Sequence, residues 1–138
     1  QGPRKEKLRR LARKEGIDMI IDFYKKQDLL DLIAISDLYV HAADMEIEAM
    51  SCMEAFAAGL VPVISNSSKS ATPQFALNEQ CLFQAGDSKD LAKKIDYWIE
   101  HGDERKRMEY EYSKSAQKYK LDDCVRQAEE MFREAMHL

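Results

Sequence analysis

Apolar and polar positions alternate between two periods along this chain. Residues 4–16 (RKEKLRRLARKEG) set Leu8, Leu11 and Ala12 at i, i+3 and i+4 among charges and stop at Gly16, which predicts an amphipathic helix. The isoleucine-rich run IDMIIDF, 17–23, predicts a strand. Helical spacing returns over 27–35 (QDLLDLIAI), and DLYVH, 37–41, predicts a second strand. After a loop at 42–48, MSCMEAFAA reads as a helix closed by Gly59, and the β-branched LVPVIS as a buried strand. A polar loop at 66–71 leads to Thr72-Pro73, expected to supply the N-cap and N1 of a short helix. A short strand at 81–83 precedes a helix capped by Asp87 and running through Trp98. Beyond Asp103 the strand signals stop and two helices remain, broken near 120–122.

Strands alternating with helices predict βαβ units with right-handed crossovers on a parallel sheet, an α/β class. Ligands in such folds sit beyond the carboxyl ends of the strands, so the loops after Phe23, His41 and Ser65 are the ones to inspect. The length of 138 residues suits one domain. A net charge of −4 and a pI near 5.4 lack the basic footprint of a nucleic-acid binder. Cys52, Cys81 and Cys124 form no C-x-x-C pair and read as reduced, intracellular, structural thiols. The longest apolar run, 55–64, contains Gly59 and Pro62 and falls short of the roughly 20 residues of a membrane span. No apolar signal segment opens the chain, and the start Gln1-Gly2-Pro3, without Met, is expected to be a cut inside a larger protein.

The most informative stretch is HAADMEIEAMSCMEAFAAGLVPVISN, 41–66. Glu46 falls in the loop after a strand and Glu54 in the following helix, with seven residues between them. A helix starting near Ala49 turns the first free amides, those of Ala49, Met50 and Ser51, toward the crevice of Glu46, a place for phosphate. Glu54, roughly 7 Å farther along the axis, is too distant to cap those amides and suits vicinal hydroxyls beside a bound diphosphate. One carboxylate on each side of a phosphate site fits a nucleotide-sugar.

The run from Glu46 to Ala55, followed by Gly59-Leu-Val-Pro-Val-Ile-Ser65, resembles the E-x7-E region of retaining family-4 glycosyltransferases with the GT-B fold. HAADMEIEAMSCMEA and VPVISNSSKSATPQFAL are most similar to the bacterial branch that glucosylates membrane lipids, diacylglycerol and cholesterol included. The resemblance implies a Rossmann-like parallel sheet with flanking helices, the carboxyl-terminal half of a GT-B fold. It makes 1–138 a nucleotide-sugar (donor) binding domain, truncated at its amino-terminal edge before a diphosphate-gripping Arg and Lys, with the acceptor domain absent and no turnover alone. By the same resemblance Glu46 is the catalytic-site carboxylate on the donor sugar's hydroxyls, Glu54 holds the ribose, and the amides of Ala49, Met50 and Ser51 face the diphosphate. The loop after Phe23 corresponds to the family's base-contacting loop, which makes Phe23 and Tyr24 candidates. Where the family has E-G-F-G, this chain has Glu46-Ile47-Glu48-Ala49. The implied reaction moves glucose from UDP-glucose to a membrane lipid, in the cytoplasm or at the inner face of the plasma membrane. No cofactor or metal is implied.

Alternatives stand beside these readings. The same fold serves transfer onto a polysaccharide, and a non-catalytic α/β ligand-binding or interaction module would leave both glutamates structural. Asp44-Met45-Glu46 superficially matches a metal-binding D-x-D, in a context that does not fit. His41 either contacts the donor or is a partly buried, hydrogen-bonded imidazole, while Glu48, His101 and His137 read as surface residues. Residues 66–70 line the acceptor side of the cleft or form a plain polar loop. Tyr97 and Trp98 follow an apolar stripe with Leu91 and Ile95 and read as core. The basic helix from Arg4 to Lys14 is either a solvated face or a rest for anionic lipid headgroups.

Overall fold

The computed structural model describes residues 2–136; His137 lies outside the described residues. The described residues cluster as two compact units, divided between Ala34 and Ile35.

The first unit holds α1 (Lys5–Glu15) and α2 (Lys26–Ala34). Gly16 ends α1 in the left-handed conformation at φ 67°, where glycine has no Cβ penalty. The Ile17 N–H then donates back to the Ala12 carbonyl at 2.9 Å. Residues 17–25, expected to begin with a strand, form none: they join no ladder, and Ile20 and Phe23 are exposed. The composition favours extended backbone, but a strand exists only where a neighbour takes its amides and carbonyls.

The second unit is an α/β layer built on a parallel sheet of order β1-β2-β3: β1 (Leu38–His41), β2 (Val61–Ser65) and β3 (Leu82–Phe83). Leu38 stands opposite Val61 and His41 opposite Ile64, while Ser65 pairs with Phe83. The central strand β2 is buried along its whole length, which explains its unbroken apolar character. Helix α3 (Met50–Ala57) connects β1 to β2, and Gly59 turns the chain at φ 85°. Asp87 caps α4 (Ser88–Glu100), its carboxylate accepting from the Lys89 and Asp90 amides. The chain ends in α5 (Gly102–Ala116) and α6 (Leu121–Met136), with a single 3₁₀ turn between them.

Thr72 is not the expected cap. The turn Thr72–Phe75 is 3₁₀, Ala71 precedes it, and the Thr72 hydroxyl instead meets Ser70 Oγ at 2.8 Å. Phe56, Val61, Val63, Ile64, Phe83, Trp98 and Tyr112 form the core, with Phe56 and Tyr112 rings 5.1 Å apart. Trp98 is fully buried, and its indole N–H donates to the Gln80 carbonyl at 3.1 Å. Tyr97 is only partly buried; it stacks on the exposed His101 and donates to Glu104 at 2.6 Å. Cys52 and Cys81 are buried like small hydrophobes, whereas Cys124 is exposed, because it lies on the terminal helix outside the core.

Candidate functional site

The parallel order brings the carboxyl ends of β1 and β2 side by side, and the loops that leave them are tied together. Ser67 Oγ donates to the Asp44 carbonyl at 2.6 Å, and the Ala71 amide donates to the Glu46 carbonyl at 2.9 Å. Glu46 and Ser70 form an isolated parallel bridge. The serine-rich loop after β2 is therefore a fixed wall for the Glu46 loop.

Glu46 is partly exposed and lines a cleft of about 400 Å³ with Met45, Ile47 and Glu48. The Ile47 amide donates to Glu46 Oε1 at 2.9 Å. This bond, joined by those from the Ala49 and Glu48 amides, holds the carboxyl below its ordinary range, and the nearby His41 imidazole acts the same way. Glu46 is thus an anion at neutral pH. The exposed Glu48 side chain fits its surface reading.

Ala49 sits at the entry of α3 with φ 52° and ψ 42°, the left-handed region that glycine enters freely and an L side chain enters at a cost. It occupies the position of the second glycine of the E-G-F-G pattern. Its methyl is buried, and the left-handed turn curls the 47–49 amides around one carboxylate. Met50 and Ser51 follow as the first residues of α3, whose amides no preceding turn engages.

His41 closes β1 and is 8% exposed. Its Nδ1 lies 2.9 Å from the Tyr39 hydroxyl, which also lies 2.9 Å from Ser51 Oγ and accepts from Cys52 Sγ at 3.6 Å. Burial is the main cause that pushes the Tyr39 phenol and the Cys52 thiol up from their ordinary values. Neither Tyr39 nor Cys52 is conspicuous in the sequence as a site residue. The available signal is period two: Tyr39 and His41 share one face of β1.

The expected residues fall into three groups. His41, Glu46, Ala49 and Ser51 come together around the entry of α3. Met50 and Glu54 line another cleft, of about 230 Å³, with Met53, Ala57, Ala116 and Tyr119. The two glutamates, expected in one crevice, therefore line separate hollows, one in the loop before α3 and one along α3 itself. Tyr24, half-buried, belongs to the first compact unit. Among the described residues no group of three or more His, Cys, Asp or Glu side chains is disposed to hold a metal ion.

Comparison with known proteins places this geometry. The family model of glycosyl transferases group 1 matches residues 1–115. The crystal structure of the catalytic domain of cholesterol-alpha-glucosyltransferase from Helicobacter pylori is similar at a TM-score of 0.82 and 48% sequence identity. That match covers 86% of this chain and 74% of the other. No curated protein matches the chain.

Proposed function

Because the chain belongs to the glycosyl transferases group 1 family and is a glycosyltransferase domain of the GT-B fold, we propose that it binds the donor for transfer of glucose from UDP-glucose, with retention, to a membrane lipid. The observation that carries this reading is the entry of α3, where an anionic Glu46 and a curl of main-chain amides precede a helix that bears Glu54 one turn further on.

A nucleoside-diphosphate sugar carries a sugar at one end and a ribose at the other, one for each hollow. Its sugar meets Glu46, its diphosphate passes Ala49, Met50 and Ser51, and its ribose reaches Glu54 on the Met50 face of α3. As the bond to the diphosphate weakens, negative charge gathers on the leaving oxygens. Fixed amides and the positive end of α3 stabilise that charge without reorganising. Glu46, kept ionised by its own loop, accepts from sugar hydroxyls and favours the positive charge that builds on the ring.

The lipid acceptor is supported by the likeness to a cholesterol glucosyltransferase and by α1, whose Lys5, Lys7, Arg9, Arg10, Arg13 and Lys14 accompany exposed Leu8 and Leu11. Among the described residues no helix is long and apolar enough to cross a membrane, so contact with lipid would be peripheral. Binding to anionic vesicles should weaken when Arg9, Arg10 and Arg13 are made neutral; unchanged binding removes this surface from the proposal.

Titration calorimetry with UDP and UDP-glucose tests the donor site. Glu54→Ala should weaken binding about tenfold or more, the scale of a hydrogen bond to a charged group, and unchanged affinity refutes the ribose role. Assays of the full-length enzyme on lipid and saccharide acceptors then separate lipid transfer from transfer onto a polysaccharide.

A further inference from the structure

Among the described residues the buried polar side chains are His41, Ser65, Ser67 and Thr72. Ser67 and Thr72 are hydrogen-bonded through their hydroxyls and His41 through Nδ1. Ser65 differs from all three. It is 2% exposed, no hydrogen bond within the described residues engages its hydroxyl, and that oxygen is not sealed as His41 Nε2 is. It opens on a hollow of about 310 Å³ that Ser65 itself lines. A buried hydroxyl without a partner calls for one, and here a ligand can reach it.

The hollow lies where all three strands end: Ala42 follows β1, Ser65 closes β2 and Phe83 closes β3. Parallel α/β sheets bind ligands in this position. Asp44 lines this hollow and Glu46 lines the other, so the metal-like spacing of Asp44-Met45-Glu46 divides between two cavities. The Asp44 main chain is held by Ser67 Oγ at 2.6 Å, and its exposed carboxylate has no hydrogen bond or ion pair among the described residues. Phe83 and Leu91 give the hollow an apolar side, and Gly86, in the left-handed conformation, turns the chain into its rim.

These groups select a chemistry. Asp44 only accepts hydrogen bonds, and Ser65 both gives and accepts. The carboxylates of Asp44 and Asp87 beside the hollow repel anions, while an ammonium group would leave the Ser65 proton without an acceptor. A ligand with several hydroxyls and an apolar face meets every group, and the volume, at the small end of ligand sites, suits a single ring. We propose that this hollow binds an uncharged sugar ring, its hydroxyls on Ser65 and Asp44 and its C–H face toward Phe83 and Leu91. The site is separate from the Glu46 and Glu54 hollows and does not rest on the donor reading.

Amide correlation spectra of the full chain, titrated with glucose, test this. Signals of Ala42, Ser65 and Gly86 should move and saturate in the millimolar range, Ser65→Ala should weaken binding about fivefold, and Asp44→Ala about tenfold. No saturable shift, shifts confined to 46–51, equal affinity in both variants, or saturation of the same signals by inorganic phosphate overturns the proposal. UDP titrated separately reads the donor hollows, so failure of one site is distinguishable from failure of the other. Octyl glucoside below its micelle concentration separates two sources of the ring. Tighter binding than glucose, still weakened in Ser65→Ala, assigns it to a glycolipid headgroup, and binding no tighter than glucose assigns it to a free sugar. The urea midpoint of Ser65→Ala should stay unchanged or rise, because the deleted hydroxyl has no internal partner; a lowered midpoint shows that the hydroxyl is bonded within the protein and overturns the proposal.

Discussion

Tyr112→Phe isolates one hydroxyl in the centre of the second unit. Tyr112 is 1% exposed, and its oxygen accepts from the Leu77 amide at 2.9 Å. The variant keeps the ring against Phe56 and removes the hydroxyl, which accepts from Leu77 and neighbours the Cys81 sulfur, a weak acceptor, so the main cost is that of an amide left without its partner. Leu77 is itself exposed, which gives water some access and puts the loss at about 1–2 kcal/mol. A second effect has the opposite sign at high pH. Burial, aided by the Cys81 thiol, pushes the Tyr112 phenol far above its ordinary value. A pKa raised in the folded state contributes stability that is present below the unfolded pKa of about 10 and is lost, by roughly 1.4 kcal/mol per pH unit, as the pH rises past it. Phenylalanine has no proton to hold, so the variant escapes that loss and its deficit should shrink to near zero at about pH 11. Urea denaturation followed through the fluorescence of Trp98, the only tryptophan, gives both values. Equal stability at neutral pH refutes the hydrogen-bond argument, and a deficit that stays constant as the solution becomes alkaline refutes the linkage argument.

Two other outcomes follow from the geometry. Ala49→Val should destabilise the chain by about 2 kcal/mol or more, because a β-branched side chain is forced into the left-handed region, while Ala49→Gly should stay within about 1 kcal/mol of the original as relieved strain offsets lost burial and added chain entropy. Comparable urea midpoints for the two variants contradict the backbone assignment at Ala49. With a thiol reagent under native conditions Cys124 should react at once, and Cys52 and Cys81 only as the protein unfolds; fast labelling of Cys52 contradicts the closed network around Tyr39.

Most of the element order is legible in the sequence because each helix and buried strand satisfies its own local rules. Gly16 and Asp87 punctuate helices by backbone freedom and by a side-chain cap, and both act where the pattern puts them. The break between the last two helices, expected near 120–122, falls at 117–120, and α6 already begins at Leu121. The misreadings have a common cause. The strand expected at 17–23, the Thr72 cap and the structural role expected of Cys124 each depend on a neighbour that no local pattern specifies.

The candidate site divides along the same line. By itself the sequence determined the helix that carries Glu54, the strand that ends in His41 and the spacing that ties Glu46 to both, since these depend on periodicity and on residues close along the chain. Only the tertiary structure decided that Ala49 takes a glycine's conformation, that the loops after β1 and β2 are joined, and that Tyr39 binds His41, Ser51 and Cys52 at one oxygen. It also separated the hollows of Glu46 and Glu54. Hydrogen bonds between distant segments have no period to read, and their partners are fixed only when the sheet brings the strand ends together.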